Sequence, residues 1–154
     1  MPFLEETMAT FSRHADVEWT GGLLDGSGTA KAGSGAFSVP VSFPSRVAGK
    51  ADGKTTPEEF MAASHGVCYA MVLTNTISKQ GGSLTRLRVT ATVTAEKSES
   101  GITVTASHLD AQVEGLQGLE ASGLQALAAE AEKGCPISNA IGGAVKVTVA
   151  ARTV

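Results

Sequence analysis

Several stretches of this 154-residue chain alternate apolar with polar residues, and a period of two predicts β-strands. Between Thr10 and Phe43, three short candidate strands are separated by glycine-rich turns at 21–22 and 33–35, the pattern of an antiparallel meander. In the third candidate, 37–43, apolar residues on one face alternate with serine and proline on the other. Proline cannot donate a hydrogen bond to a neighbouring strand, so this strand is predicted at a sheet edge.

A long helix is predicted to follow these strands. Thr56 is a capping residue, Pro57 occupies the first helical position, and glutamates complete the first turn. From Phe60 to Ile77 apolar residues lie nearly all round the helix, which indicates a buried central element. The glycine pair at 81–82 is expected to end it.

The next part of the chain contains further alternating stretches. Apolar residues alternate with threonine and charged residues over 87–96 and again from Ile102, with a turn predicted at 98–101. After His108 the apolar positions shift by one, so either the strand contains a β-bulge or it leaves the sheet. The last alternating stretch, 145–152, is predicted to be the final strand.

A second, amphipathic helix is indicated between these strands by the helical spacing of Leu124, Leu127, Ala128 and Ala131. It is expected to end at Lys133-Gly134, and Cys135-Pro136 begins a new short segment. The predicted order of elements is therefore β-β-β-α-β-β-α-β, which is an α+β class. The length fits a single domain, expected over 10–154, after a flexible N-terminal arm at 1–9.

Composition excludes several classes of partner. The net charge of -3, with one tryptophan and one tyrosine, provides neither the basic field nor the stacking side chains of a nucleic-acid-binding protein. No stretch approaches the roughly 18 apolar residues that a membrane helix needs. The acidic start MPFLEETMAT does not resemble a signal peptide. We therefore expect a cytoplasmic protein that binds neither nucleic acid nor membrane.

The chain has two cysteines. A reducing compartment keeps ordinary thiols reduced, so a disulfide here is expected to be transient and part of a reaction. Cys68 lies about three turns into the apolar helix, where a buried, inert thiol is the plain interpretation. Cys135 is either an ordinary turn cysteine or the cap of the short segment that begins at Pro136, whose amides and dipole favour a thiolate. The two cysteines can meet only if the two predicted helices pack together.

Two charged residues are candidates for activating a thiol. Arg46 is either an ordinary surface residue or, if its guanidinium reaches Cys68, a group that stabilises the thiolate. Glu58 in the first helical turn is placed either to orient that guanidinium or simply to interact with the helix dipole. The competing cations are Arg86 and Arg88, and the competing carboxylate is Glu59.

Three segments, taken in order, resemble the motif set of the OsmC/Ohr family (osmotically inducible protein C and organic hydroperoxide resistance protein). They are Thr56-Pro57-Glu58-Glu59, Ala62-Ala63-Ser64-His65-Gly66-Val67-Cys68 and Gly134-Cys135-Pro136-Ile137-Ser138. The order of elements fits as well, and the resemblance covers roughly residues 15–152. The histidine three residues before the first cysteine looks closer to the OsmC branch than to Ohr.

The resemblance implies an OsmC-like fold, with curved antiparallel sheets around a buried central helix, in an intertwined homodimer with active sites at the subunit interface. It implies that Cys68 is the peroxidatic and Cys135 the resolving cysteine, with Arg46 and Glu58 as the matching arginine and glutamate. The implied activity is reduction of organic hydroperoxides to alcohols, without a cofactor, through a Cys68 sulfenic acid and a Cys68–Cys135 disulfide. A lipoylated or thioredoxin-like dithiol reductant would restore the thiols, and the implied role is bacterial defence against oxidative and osmotic stress.

Two other functions remain open from the sequence. His65 and Cys68 share a helical face, and with Cys135 they offer three zinc ligands, although no clear fourth ligand accompanies them. The second alternative keeps the family fold in a binding or redox-sensing protein with little turnover. Hydrolase and nucleotide-binding motifs are absent from the sequence.

Overall fold

The computed structural model of the protein describes residues 9–154. The predicted N-terminal arm, 1–9, lies outside the described residues except for Ala9. Contacts divide the chain into two units, one ending at Thr56 and the other spanning Pro57–Val154. In the part of the chain that the structure describes, no helix is both long enough and apolar enough to cross a membrane.

The first unit contains an antiparallel three-stranded sheet in the order β1-β2-β3. Its strands are β1 (Ala15–Thr20), β2 (Ser27–Ala32) and β3 (Ser38–Val41). β3 lies at the edge of the sheet, as the prolines of the third candidate strand predicted. Both predicted glycine turns are present, and Gly21 has a φ of 89°, a left-handed conformation that favours glycine.

The third strand is shorter than its alternation suggested. Phe43 belongs instead to a single-turn helix, α1 (Phe43–Arg46), in which Pro44 lies in the first turn. The Ser42 hydroxyl caps this helix by accepting a hydrogen bond from the Ser45 backbone N–H at 3.2 Å. A capping serine followed by an early proline is a helix-start signal, and here it outweighs the period of two.

The second unit begins with the predicted long helix, α2 (Pro57–Lys79). It ends before Gly81, whose φ of 83° lies in the left-handed region. One stripe of the helix is fully buried, formed by His65, Tyr69, Leu73 and Ile77. Burial within one chain is therefore one-sided, although apolar residues lie nearly all round the helix: Val67 is 57% exposed and Met71 is 69% exposed.

The sheet of the second unit has the order β4-β5-β6. Its strands are β4 (Arg86–Ser98), β5 (Gly101–Glu114) and β6 (Lys146–Thr153). The first pair is antiparallel, but β5 and β6 are parallel, so the prediction of wholly antiparallel sheets is wrong for this sheet. The reason is the connection: a helical crossover returns the chain to the starting end of β5, as a parallel pair requires.

The shift of apolar positions near His108 comes from a β-bulge, and β5 stays in the sheet up to Glu114. The pairing jumps from Thr94 opposite Ala106 to Ala95 opposite Val104, which leaves Thr105 as the extra residue. The bulge turns the odd-numbered residues that follow toward the core, and Leu109, Ala111 and Val113 are fully buried.

The crossover contains the predicted second helix, α3 (Leu124–Lys133), after a 3-10 turn at Ala121–Gly123. Its buried residues are Leu124, Ala128 and Ala131. A further short helix, α4 (Pro136–Ile141), follows Cys135. Together with α2 and β5, these helices enclose one hydrophobic core, and the predicted α+β class is confirmed.

Candidate functional site

Cys68 lies in the middle of α2, one residue before the buried stripe residue Tyr69. This position turns its side chain to the edge of the core, so the thiol is half-buried and packs against the core cluster. The plain interpretation of an inert, fully buried thiol therefore does not describe Cys68. Its sulfur is reduced in the described structure.

Cys135 occupies the turn between α3 and α4. Gly134 ends α3, and Cys135 is the residue immediately before α4, where its backbone is extended. Its thiol is reduced and fully buried in the same core cluster. The helix start predicted here is confirmed, but the Cys135 side chain makes no capping hydrogen bond.

The two thiols lie together. Their side chains are within hydrogen-bond reach of each other. The sequence predicted that the cysteines could meet only if helices packed together, and here Cys68 of α2 lies beside the residue that precedes α4. Burial raises the pKa of the Cys68 thiol, and the neighbouring Cys135 raises it further. The Ile137 backbone N–H, which hydrogen-bonds the Cys68 sulfur, lowers that pKa and opposes them.

The amide of α4 thus acts on a different cysteine from the one expected. The sequence assigned the amides at the start of this helix to Cys135, its capping residue. In the structure the Ile137 N–H meets the Cys68 sulfur of the neighbouring helix. The Cys135 side chain is itself buried in the core, and α4 packs against α2.

A histidine lies one helical turn before Cys68 and is fully buried. The Nδ1 atom of His65 is 2.6 Å from the Ser107 hydroxyl of β5, and its Nε2 atom is 2.7 Å from the Ser138 hydroxyl of α4. Burial lowers the pKa of His65, and the carboxylate of Glu132 raises it by a smaller amount. The ring therefore favours its neutral form, in which one nitrogen donates and the other accepts.

Tyr69 anchors the same helix to α3. Its hydroxyl donates a 2.9 Å hydrogen bond to the backbone carbonyl of Ala128, and the ring is fully buried. Burial and the charge of Glu132 both raise the pKa of the Tyr69 hydroxyl, so it stays protonated. His65 and Tyr69, the two residues of the buried stripe nearest to Cys68 in sequence, are thus each fixed by a hydrogen bond to another helix or strand.

The remaining candidates are distributed over both units. Arg46 is the last residue of α1 in the first unit and is half-buried. Glu58 lies in the first turn of α2 and is half-buried, whereas Glu59 is exposed. Arg86 pairs with Glu114 at 2.7 Å.

The competing cation Arg88 is exposed on β4. The groups that shift the pKa of Cys68 include neither Arg88 nor Arg86, the two arginines that the sequence offered as alternatives. The role of the arginine therefore stays a prediction, for Arg46 as for its two competitors.

The zinc alternative meets a difficulty at His65. Both of its ring nitrogens are engaged by serine hydroxyls, so neither is available as a metal ligand without breaking a buried hydrogen bond. Among the described residues, no group of three or more histidine, cysteine, aspartate or glutamate side chains is arranged to hold a metal ion.

Comparison with known proteins supports the same motifs. The family model described as OsmC-like protein matches residues 49–150, which is more than half of the chain. The chain belongs to the OsmC-like family. The family resemblance drawn from the three sequence segments is thereby confirmed.

Relatives of known name agree with this assignment to the OsmC-like family. Peroxiredoxin OsmC of Escherichia coli is 29% identical over 133 residues, covering 86% of this chain and 91% of that protein. An organic hydroperoxide resistance protein OsmC from Legionella pneumophila is 27% identical, with a TM-score of 0.73 over 94% of this chain and 99% of its own. An organic hydroperoxide resistance protein from Elizabethkingia anophelis, crystallised with thiocyanate, is 25% identical, with a TM-score of 0.75 over 96% and 100% of the two chains.

Three residues of this OsmC-like site were not foreseen as partners. His65 was considered only as a zinc ligand and a branch marker, Ser107 and Glu132 were not singled out, and Ser138 was quoted only as the end of the third family segment. A signal existed for Ser107, because it lies where the apolar alternation of β5 changes parity. No sequence pattern linked two serines 31 positions apart to one histidine.

Proposed function

We propose that this protein is a thiol peroxidase that reduces organic hydroperoxides to alcohols with Cys68 and Cys135. The observation that carries the proposal is the meeting of two reduced thiols across α2 and α4, in a chain of the OsmC-like family. The names of the Escherichia coli and Legionella pneumophila relatives support the same class of reaction.

The proposed reaction has two steps and needs no cofactor. The Cys68 thiolate attacks one oxygen of the hydroperoxide, the O–O bond breaks, and the other oxygen leaves as the alcohol after taking a proton. Cys68 is then a sulfenic acid. The sulfur of Cys135 attacks the Cys68 sulfur, the hydroxyl leaves as water, and a disulfide forms. A dithiol of the lipoylated or thioredoxin-like class reduces this disulfide.

The division of roles between the cysteines follows from access. Cys68 is half-buried at the edge of the core, whereas Cys135 is 0% exposed. A hydroperoxide therefore reaches the Cys68 sulfur first. Cys135, already within hydrogen-bond reach of it, is placed to resolve the sulfenic acid without a large movement.

A cation is needed to generate the thiolate, because burial raises the pKa of Cys68. We assign this role to Arg46, whose planar guanidinium stabilises a thiolate and donates hydrogen bonds to a peroxide oxygen. The family resemblance matches Arg46, rather than Arg86 or Arg88, to the arginine of the site.

We assign the carboxylate that orients Arg46 to Glu58. Cys68 is nine residues after Glu59, which puts the two on opposite sides of α2 at about 100° per residue. Glu58 does not lie on the opposite side of α2 from Cys68. It lies ten residues before Cys68, however, which is about 15 Å along the helix axis at roughly 1.5 Å per residue. A Glu58 carboxylate beside Cys68 therefore has to come from a second copy of the chain.

This separation supports the homodimer that the family resemblance implies. The exposed apolar residues Val67 and Met71 on α2 flank Cys68 and give a second copy an apolar surface to cover. The same residues, with Phe60 nearer the start of the helix, favour a hydroperoxide with an apolar substituent over hydrogen peroxide. We place the activity in bacterial defence against oxidative and osmotic stress.

The experiment is a thiol count. Stoichiometric organic hydroperoxide should remove two free thiols per chain from the wild type, with one alcohol formed. Cys68→Ser should lose no thiol, and Cys135→Ser should consume one equivalent and stop as a sulfenic acid that a dimedone probe captures. Hydroperoxide turnover by both single variants would show that the dithiol mechanism is wrong.

A binding or redox-sensing protein with little turnover is the second candidate function, favoured by the raised pKa of Cys68. It predicts the same loss of two thiols but no sustained alcohol production when a dithiol reductant is in excess. The rate of alcohol formation under that condition separates the two functions.

A further inference from the structure

His65 is a buried titratable group that the proposed chemistry does not use. Its ring is 0% exposed and joins three elements, because it belongs to α2, contacts Ser107 of β5 at 2.6 Å and contacts Ser138 of α4 at 2.7 Å. Among the described residues, no buried side-chain nitrogen or oxygen lacks a hydrogen-bond partner. The ring is therefore held at both ends.

The two ends of this ring have different neighbours. His65 is three residues before Cys68 in α2, and Ser138 is three residues after Cys135. A spacing of three is about one helical turn, so the His65–Ser138 hydrogen bond runs beside the cysteine pair, roughly one turn away from it. Ser107 lies instead on β5, which carries no cysteine.

The helix that carries Ser138 is short and has one buried side chain, that of Ser138. α4 has six residues, and its capping residue, Cys135, makes no side-chain capping bond. Ser138 is the buried residue of this helix, and the same helix brings the Ile137 N–H to the Cys68 sulfur. A shift of α4 would move both the Cys135 thiol and this amide away from Cys68.

We propose that His65 is a positioning residue that, through Ser138, holds α4 against α2 and so keeps the Cys135 sulfur within reach of Cys68. This inference rests on the cysteine pair of the proposed function, but it does not depend on which oxidant the pair meets. Ser107 of β5 contacts the other end of the ring.

The test uses an oxidant other than peroxide. The reduced protein is equilibrated with mixtures of glutathione and glutathione disulfide, and the Cys68–Cys135 disulfide is counted by mass after alkylation. The Cys68 thiolate attacks the glutathione disulfide and releases one glutathione. The Cys135 thiolate then attacks the Cys68 sulfur of the mixed disulfide and releases the second. The equilibrium constant measures how well the two thiols are held together.

Two matched serine variants separate positioning from simple loss of a buried bond. Ser138→Ala and Ser107→Ala each remove one hydroxyl from the same buried ring. Ser138→Ala should lower the equilibrium constant about tenfold, while Ser107→Ala should stay within about threefold of the wild type. Equal effects of the two variants, or no effect of Ser138→Ala, would overturn the proposal.

Substitutions of the histidine give a second test if Ser138→Ala does not fold. An amide nitrogen or oxygen in glutamine lies near the position of Nε2, which faces Ser138, whereas that of asparagine lies near Nδ1, which faces Ser107. His65→Gln should therefore keep the equilibrium constant near the wild-type value, and His65→Asn should lower it about tenfold. The reverse order would contradict the assignment.

Failure of the proposed function is distinguishable from failure of this inference. If the wild type does not reduce hydroperoxide but the glutathione equilibrium responds to Ser138→Ala as expected, the proposed peroxidase function is wrong and the positioning role of His65 is supported. If the wild type forms no Cys68–Cys135 disulfide with glutathione, the positioning role is wrong.

Discussion

The Cys68 sulfur is subject to opposing effects whose balance decides its reactivity. Burial and the Cys135 thiol raise its pKa above an ordinary value of 9.0, and the Ile137 amide lowers it without reversing the shift. A thiol with a pKa of 9 or more is about 1% thiolate or less at pH 7. Because the thiolate is the nucleophile, a chain with these contacts alone would react slowly with peroxide.

Substitution of Arg46 should therefore change the ionisation of Cys68. A cation close to a thiol lowers its pKa by about 1–3 units, so Arg46→Ala should move the pH midpoint of Cys68 alkylation upward by about that amount. Arg46→Lys should keep much of the alkylation rate but lose much of the peroxide rate, because lysine keeps the charge and loses the planar pair of donors.

The measurement is the rate of iodoacetamide reaction against pH, in a Cys135→Ser background so that one thiol reports, beside the peroxide rate of each variant. Arg88→Ala is the matched control, since it removes an exposed arginine of the same unit as Cys68. An alkylation profile that Arg46→Ala leaves unchanged would remove Arg46 from the site.

Among the elements, those with a repeating pattern were predictable and those set by a single local contact were not. The long helix and the three β-hairpins follow from periodicity and from glycine-containing turns. The end of β3 does not, because the Ser42 cap and Pro44 start a helix inside an alternating stretch. The bulge at Thr105 shows as a parity shift, but the shift alone does not say whether the strand continues.

The residues of the candidate site also differ in whether the sequence predicted them. Both cysteines and the helix start at Pro136 were visible in the sequence, because each stands in a short motif. The partners of His65 were not, since Ser107 and Ser138 come from separate elements that meet only after the crossover has folded. A parallel β6 was missed for a related reason: strand direction depends on the connection and leaves no mark in the alternation.

The packing of three elements around His65 should make stability depend on pH. The folded pKa of His65 lies below its ordinary value of 6.5, so as pH falls the unfolded chain takes up the proton first. The free energy of unfolding should then decrease below about pH 6.5, by at most about 1.4 kcal/mol per pH unit, until the folded pKa is passed.

Urea unfolding of the wild type and of His65→Gln between pH 7.5 and pH 5 measures this contribution. The variant has no titrating group at this position, while the carboxylates and the other two histidines are common to both proteins. The wild-type curve should therefore fall more steeply than that of the variant. Parallel curves would mean that His65 is not held neutral by burial.

At the scale of the whole molecule, the proposed site requires a second copy of the chain beside α2. Glu58 and Cys68 are separated by about 15 Å along one helix, so a single copy does not bring them together. Two copies related by a two-fold axis, with their α2 helices antiparallel and crossing near Ala63, would place each Glu58 opposite the Cys68 of the other. Ala63 is exposed and small, which permits a close crossing.

This arrangement predicts complementation between two defective variants. Glu58→Gln should lower the peroxide rate by weakening the hold on Arg46, and Cys68→Ser should abolish it. In a mixed dimer, one site combines Cys68 of the first variant with Glu58 of the second and is intact, while the other site lacks both. After unfolding and refolding of an equimolar mixture, half of the dimers are mixed, so activity should return to about a quarter of the wild-type value per chain. The residual rate of the Glu58→Gln dimers, measured on that variant refolded alone, is subtracted as the control. If Glu58 acted on the Cys68 of its own chain, refolding together would give no more than the average of the two separate variants, and the site would not be shared between copies.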